Sequence, residues 1–177
     1  MISFGANIDP LPNIQRGLAL LHEQLPIAII SAVYRSAPVG LLEQPDFLNG
    51  AVRLHPISQD TLTPMQLRTL LRQIELTCGR HRDPSIPRNG PRTLDLDVAA
   101  MGQLVVDQPE WQLPDPDISQ RPFLALPLAE VAPEWHHPLL GVPMLTIASR
   151  FHPASEAITI DPAATVILRS AWSNDSC

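Results

Sequence analysis

The sequence contains no lysine: all twelve of its cationic residues are arginine, against 18 acidic residues, for a formal net charge of -6. Without lysine there is no Schiff-base nucleophile and no P-loop lysine. Any recognition of phosphate must rest on the planar, permanently charged guanidinium. The acidic balance, together with the lack of an aromatic-basic strand of the RNP type, argues against nucleic acid as a partner. Cysteine is scarce as well. Cys78 and Cys177 are too few for a disulfide framework, and both read as reduced thiols of a cytoplasmic protein. No apolar run approaches the ~18 residues that a membrane span requires. Met1–Asn7 has neither the charged region nor the apolar stretch of a signal peptide. The expected setting is therefore cytoplasmic, with no membrane partner.

Proline, by contrast, is abundant, at 20 of 177 residues, which favours long ordered loops over long helices. With 45% hydrophobic and 17% charged residues the chain is globular in composition, and its length suits one domain. Ile2 to Phe4 reads as a strand running into Gly5 and Asn7. Asp9-Pro10 opens a helix whose apolar face is Ile14, Leu18, Leu21 and Leu25, stopped by Pro26. Ile27 to Arg35 reads as a second strand and Phe47 to His55 as a third. Thr63-Pro64 starts a second helix, with Leu67, Leu70, Leu71, Ile74 and Cys78 on one face and its end near Gly79. Arg80 to Pro91 is a long polar loop, of the kind that is usually functional in a compact domain. Thr93 to Ala99 is a strand, Leu104 to Val106 a short edge strand, and Ile118 to Val131 contains a helix broken by Pro127. Ala157–Ile160 and Thr165–Leu168 are expected to form a terminal hairpin, with Ser170 to Cys177 frayed. Strand-helix-strand-strand-helix-strand is the order of a split βαβ, ferredoxin-like arrangement.

Three segments carry chemistry. In Gly90-Pro-Arg-Thr-Leu-Asp-Leu-Asp97, alternation on a strand puts Asp95 and Asp97 on one face and Leu94, Leu96 and Val98 on the other. Two such carboxylates suit Mg²⁺ shared with substrate phosphates, although a bare Asp-x-Asp is also the pattern of a solvated strand face. Arg80, Arg82, Arg88 and Arg92 fall within thirteen residues against the single acid Asp83, a local charge of about +3. A cationic flap beside a carboxylate pair suits a metal-bound polyphosphate, and a solvated loop paired with acids elsewhere is the plainer alternative. Phe47 and Asn49 share a strand face, where a flat heterocycle could stack on the ring while the amide reads its edge. A core phenylalanine beside a turn-capping asparagine would leave the same pattern.

Five segments together resemble one family. Tyr34-Arg-Ser-Ala-Pro-Val-Gly, Gln44-Pro-Asp-Phe-Leu-Asn, Ile74-Glu-Leu with Gly79-Arg80 and Arg82, Gly90 to Asp97, and Pro127-Leu with Glu130 and Ala132-Pro133 follow the order and spacing of the hydroxymethyldihydropterin pyrophosphokinases. The resemblance implies an α/β (α+β) ferredoxin-like sandwich with a central, mostly antiparallel sheet flanked by helices. It implies transfer of diphosphate from ATP to 6-hydroxymethyl-7,8-dihydropterin, with release of AMP, in folate synthesis. It implies two Mg²⁺ ions on Asp95 and Asp97, and a pterin ring between Phe47 and Phe123 with Asn49 at its edge and Val39 alongside. Arg80, Arg82 and Arg92 would be catalytic, and Glu75, Val98, Arg121 and Arg88 would lie on the nucleotide side. ATP and a dihydropterin would be the partners of a monomer or weak dimer, with residues 1–153 as the catalytic domain and 154–177 as an extension. The chain departs from the family at Asp115, where a histidine is usual, at Glu110, where a basic residue is common, and at Ala6 and Asn89. Two acids facing a triphosphate are expected to weaken ATP binding. A diverged paralogue using another pterin or donor, or an inactive pterin-binding module, stands as the alternative.

Overall fold

Ile2–Ala6 (β1) is the strand around which the fold assembles. In this computed structural model, which describes residues 1–56, 62–81, 89–109, 111–152 and 157–172, β1 pairs antiparallel on one side with Phe47–Leu54 (β4) and on the other with Asp95–Val98 (β5). The sheet continues outward from β4 through Tyr34–Ser36 (β3) to Ile158–Ile160 (β8), and Ile27–Ile30 (β2) also pairs with β4. Every pairing is antiparallel, so the ferredoxin-like order anticipated from the sequence is met.

Alternation sorts the strands between two layers. Ile2, Phe4 and Ala6 of β1, Leu48 and Val52 of β4, and Leu96 and Val98 of β5 point to one face. There they meet the helices Pro10–Gln24 (α1) and Pro64–Thr77 (α2) in the larger core, which contains Ile14, Leu18 and Leu21 of α1 and Leu67, Leu71 and Ile74 of α2. The second helix begins with a capping box, Thr63 and Gln66 bonding reciprocally. It ends at Cys78 and at Gly79, whose φ of 80° is the left-handed turn that glycine tolerates. The opposite face of the sheet is covered only in part. Pro122–Val131 (α3) and Met144–Ala148 (α4) close over Ala51 and Ala99. The rest of that face, with Ser3, Gly5, Asn49, Asp95 and Asp97, is left open as a cleft.

The structure differs from the sequence reading in four places. The apolar run from Ile27 is two strands, because the ladder to β4 breaks after Ser31: its N–H still donates to Ala51 O (3.0 Å), but its Oγ, in place of a backbone carbonyl, accepts from Ala51 N (2.9 Å). The edge strand expected at Leu104 to Val106 is shifted to Val106–Gln108 (β6), paired with Trp111–Leu113 (β7). Pro127 lies inside α3 without breaking it. This helix starts only at Pro122, so proline forgoes a single early bond, and the stretch before it is a separate 3-10 turn, Pro116–Ser119. The terminal hairpin is not formed. Ile158–Ile160 joins β3, and Pro162–Trp172 (α5) is a helix that buries Ala164 and Leu168 in the larger core. Asp161 starts it, accepting from Ala164 N at 3.0 Å, with proline in the first turn. Of the stretch expected to fray, Ser170–Trp172 belongs to α5; residues 173–177, like Arg82, Arg88 and Glu110, lie outside the described residues.

Candidate active site

The open part of the sheet face forms a cleft of about 690 Å³, a size suited to small-molecule substrates. Its floor is set by register. Gly5 pairs with Asn49 on one side and Asp95 on the other, and Ser3 pairs with Ala51 and Asp97. The floor thus runs from an amide to two carboxylates across a glycine that leaves the surface flat. Ser36, Val39, Phe47 and Phe123 line the end beside Asn49, and Arg68, Arg72, Arg80, Arg92, Trp111 and Asp115 line the end around the aspartates.

At the amide end, Asn49 is buried, and its Nδ2 donates to Ser36 Oγ at 3.0 Å. The amide plane is therefore fixed before any ligand arrives. Phe47 lies two residues earlier on the same strand face, with the Arg92 guanidinium 5.4 Å from its ring centroid. Phe123 comes from the first turn of α3 and packs against both the α3 core and the cluster of Ala32, Tyr34 and Ile158. The loop that carries Val39 is tied to the segment before β5. Asn7 Nδ2 donates to Gln44 Oε1 (3.0 Å) and Pro45 O (3.1 Å), Asn7 Oδ1 accepts from Arg92 N (2.8 Å), and Gln44 Nε2 donates to Asn89 O (2.8 Å).

At the other end, Asp95 is gripped by two arginines, Arg80 Nη1 on Oδ1 and Arg92 Nη1 on Oδ2. Burial alone would raise the Asp95 pKa, but the two guanidiniums outweigh it and hold the carboxyl below its usual range. Arg80 is itself anchored from below by Glu75 Oε1 at 2.7 Å. That oxygen also accepts from Leu96 N at 2.9 Å. Glu75, expected on the nucleotide side, therefore lies under the floor at 2% exposure and does not line the cleft. A carboxylate at that depth has to be met by donors, and it joins α2, Arg80 and β5 at one point.

Asp97 is in the opposite condition. Its side chain opens to the cleft, with protein around its other sides. Burial, then the negative charges of Asp95, Glu75 and Asp115, raises its pKa to about 7. An acid so placed favours either a proton or a cation, and an oxygen-donor pair suits a hard divalent ion completed by phosphate and water. Among the described residues no group of three ligating side chains is assembled.

Asp115 does line the cleft, but it is also a cap. Its Oδ1 accepts from Asp117 N at 2.8 Å and starts the 3-10 turn. Val98 lines the cleft too, whereas Arg121 does not: it sits 3.9 Å from Asp117 in a loose ion pair. Arg68, Arg72 and Trp111 were not singled out from the sequence. Arg68 lies over the Trp111 ring at 5.3 Å, and Arg72 follows one turn later on α2. Their i, i+4 spacing on the polar face of that helix was the available signal.

Comparison with known proteins gives one consistent result. Residues 1–133 match the family model of the 7,8-dihydro-6-hydroxymethylpterin-pyrophosphokinases. The chain is 38% identical over 144 residues to the 2-amino-4-hydroxy-6-hydroxymethyldihydropteridine pyrophosphokinase of Synechocystis sp., covering 80% of this chain and 70% of that protein. It is 37% identical over 141 residues to the protein of the same name from Pseudomonas aeruginosa, with 77% and 82% covered. The Bacillus subtilis counterpart is 35% identical over 133 residues, with 73% and 75% covered.

Proposed function

Since the chain belongs to the 7,8-dihydro-6-hydroxymethylpterin-pyrophosphokinase family, we propose that its cleft transfers the terminal diphosphate of ATP to the hydroxymethyl oxygen of 6-hydroxymethyl-7,8-dihydropterin, a step of folate synthesis. The observation that carries this reading is the joining of two unlike surfaces on one floor. A ring-and-amide end (Phe47, Asn49, Phe123, Val39) meets a carboxylate-and-guanidinium end (Asp95, Asp97, Arg80, Arg92) across Gly5.

The pterin ring lies against Phe47 and Phe123, and the fixed Asn49 amide reads its donor and acceptor edge. ATP lies towards Val98, with Arg72 and the Arg68–Trp111 pair on its outer side. Arg80 and Arg92 exchange their present partner, Asp95, for phosphate oxygens, and Arg82 and Arg88 add to them. Asp95 and Asp97 would hold magnesium, two ions in this reading, whose charge would offset that of the phosphates. The substrate oxygen attacks the β-phosphorus, the bond from that phosphorus to the oxygen bridging the α-phosphate breaks, AMP leaves, and the hydroxyl proton passes to solvent. Charge neutralisation and positioning account for most of the rate, as is usual for phosphoryl transfer. Glu75 supports this by anchoring Arg80. The cleft is built within one chain, which suits a monomer or weak dimer, and its donor suits the cytoplasm. No helix of the described residues is long and apolar enough to cross a membrane.

The test is AMP formation from ATP with the dihydropterin, with and without Mg²⁺. Release that depends on both supports the reading. A folded protein that binds pterin but forms no AMP would establish the inactive binding module instead.

A further inference from the structure

The stretch beyond residue 133 is outside the family match, yet its last two elements reach the back of the amide end. Strand β8 pairs with β3 along its whole length, placing Ile158 opposite Ser36 and Ile160 opposite Tyr34. Ser36 is the residue that fixes the Asn49 amide. Ile158, 1% exposed, forms a small core with Ala32 and Tyr34, on which Phe123 and Leu126 rest. Both the amide and the second ring are therefore backed by β8.

Helix α5 closes the break between β2 and β3. There the backbone leaves the sheet, and its buried N–H groups need other acceptors. Val33 N donates to Thr165 Oγ1 at 2.9 Å, and Ala32 N to Glu130 Oε2 at 2.8 Å. Tyr34 Oη donates to the other oxygen of Glu130 at 2.5 Å. Arg169 of α5 completes the knot, with Nη2 on Glu130 Oε2 at 3.1 Å and Nε on Ile30 O at 3.3 Å. Glu130 lies on α3, the helix that carries Phe123. The knot therefore fixes the distance between the two strands bearing Ser36 and Asn49 and the helix bearing Phe123.

We infer that residues 158–169 brace the pterin half of the cleft, with Thr165 and Arg169 as positioning residues that act through Val33, Glu130 and Ser36. This rests on the pterin assignment above. Strand β8 lies at the opposite end of the strand order from β5, which carries the aspartates, so loss of the brace acts on one substrate and not on both.

The experiment is steady-state kinetics of the full chain and its variants Thr165→Val, Thr165→Ser and Arg169→Ala, paired with NMR of the Asn49 side-chain amide. Thr165→Val and Arg169→Ala should raise KM for the dihydropterin about fivefold, the worth of roughly one hydrogen bond, with KM for ATP unchanged. Thr165→Ser, which keeps the acceptor, should restore the wild-type value. An equal rise in both KM values, or none, overturns the brace. If Thr165→Val does not fold, Arg169→Ala decides the matter alone, since that side chain is half exposed. A wild-type chain that forms no AMP in the presence of dihydropterin would sink the activity and leave the brace to be judged by NMR. A shifted Asn49 amide resonance in the two variants then supports it, and an unshifted one overturns it.

Discussion

Gly5 lies between Asn49 and Asp95, in register with each across a neighbouring strand, and its missing side chain keeps the two ends of the cleft floor continuous. A Cβ at this position would meet Asn49 Oδ1 at 3.0 Å, and Asn49 has little freedom to retreat because its amide is held by Ser36. Gly5→Ala should therefore weaken dihydropterin binding about fivefold, on the scale of one displaced hydrogen bond. ATP binding should change less. Titration calorimetry with each ligand checks this, and an unchanged pterin affinity would remove Asn49 from the ligand's contacts.

The raised Asp97 carboxyl makes the stability of the metal-free protein depend on pH near neutrality. In the fold this group titrates at about 7, and in the unfolded chain at about 3.8. Between those values the folded state holds a proton that the unfolded state has released. The stabilisation is complete below the lower value and is lost as pH rises through the upper one. The melting temperature without metal should fall between about pH 5 and about pH 8, and Asp97→Asn should flatten the curve. A divalent ion competes with that same proton, so its affinity should weaken as the solution is acidified below about pH 7. Thermal melts with and without Mg²⁺ across this range would show both effects; a pH-independent wild-type melt contradicts the burial and charge argument.

Asp95 and Asp97 differ in what their removal should do to the fold. Asp97 has carboxylate neighbours, so Asp97→Ala relieves repulsion and should leave the protein as stable or more stable at pH 8 while nearly eliminating turnover. Asp95 is the shared partner of Arg80 and Arg92. Asp95→Ala leaves two part-buried guanidiniums facing each other, and should cost stability of about 1–3 kcal/mol as well as activity. Chemical denaturation of the two variants beside an AMP assay separates the roles. Wild-type turnover in Asp97→Ala would end the proposed metal assignment.

Much of this arrangement was legible because period and face follow from local chemistry. The alternation Leu94, Leu96, Val98 against Asp95 and Asp97 could be read directly, as could the Phe47–Asn49 pairing and the helical stripes of α1 and α2. The break at residues 31–33 was not, because Ser-Ala-Val is as compatible with a strand as with a bulge, and the partners that make a bulge stable are Ala51, Glu130 and Thr165, far away in sequence. Helix α5 was misread through the β-branched residues Thr165, Val166 and Ile167. Asp161-Pro162 is a helix start of the same type as Thr63-Pro64, and a cap outweighs a weak β preference once Leu168 and Ala164 have a core to enter. Glu75 illustrates a further limit: a position in sequence does not say whether a carboxylate lines a cleft or lies beneath it holding an arginine, as Glu75 holds Arg80.

Asp115 was expected to repel nucleotide, and its position gives it two separable effects. Its charge is among those that raise the Asp97 carboxyl, and it stands on the cleft wall where a triphosphate would approach. Its Oδ1 also caps the 3-10 turn through Asp117 N, which shapes the wall itself. Asparagine keeps an acceptor oxygen at the cap and removes the charge. Asp115→Asn should therefore lower KM for ATP about fivefold, the size of one like-charge contact at moderate dielectric. Asp115→Ala removes the same charge but sacrifices the cap, at about 1 kcal/mol, and the loosened wall should offset much of the gain. Kinetics with ATP varied at saturating dihydropterin distinguish the two. Weaker ATP binding in Asp115→Asn would mean that the carboxylate is itself a ligand, sharing with Asp97 the task of holding a cation against the phosphates.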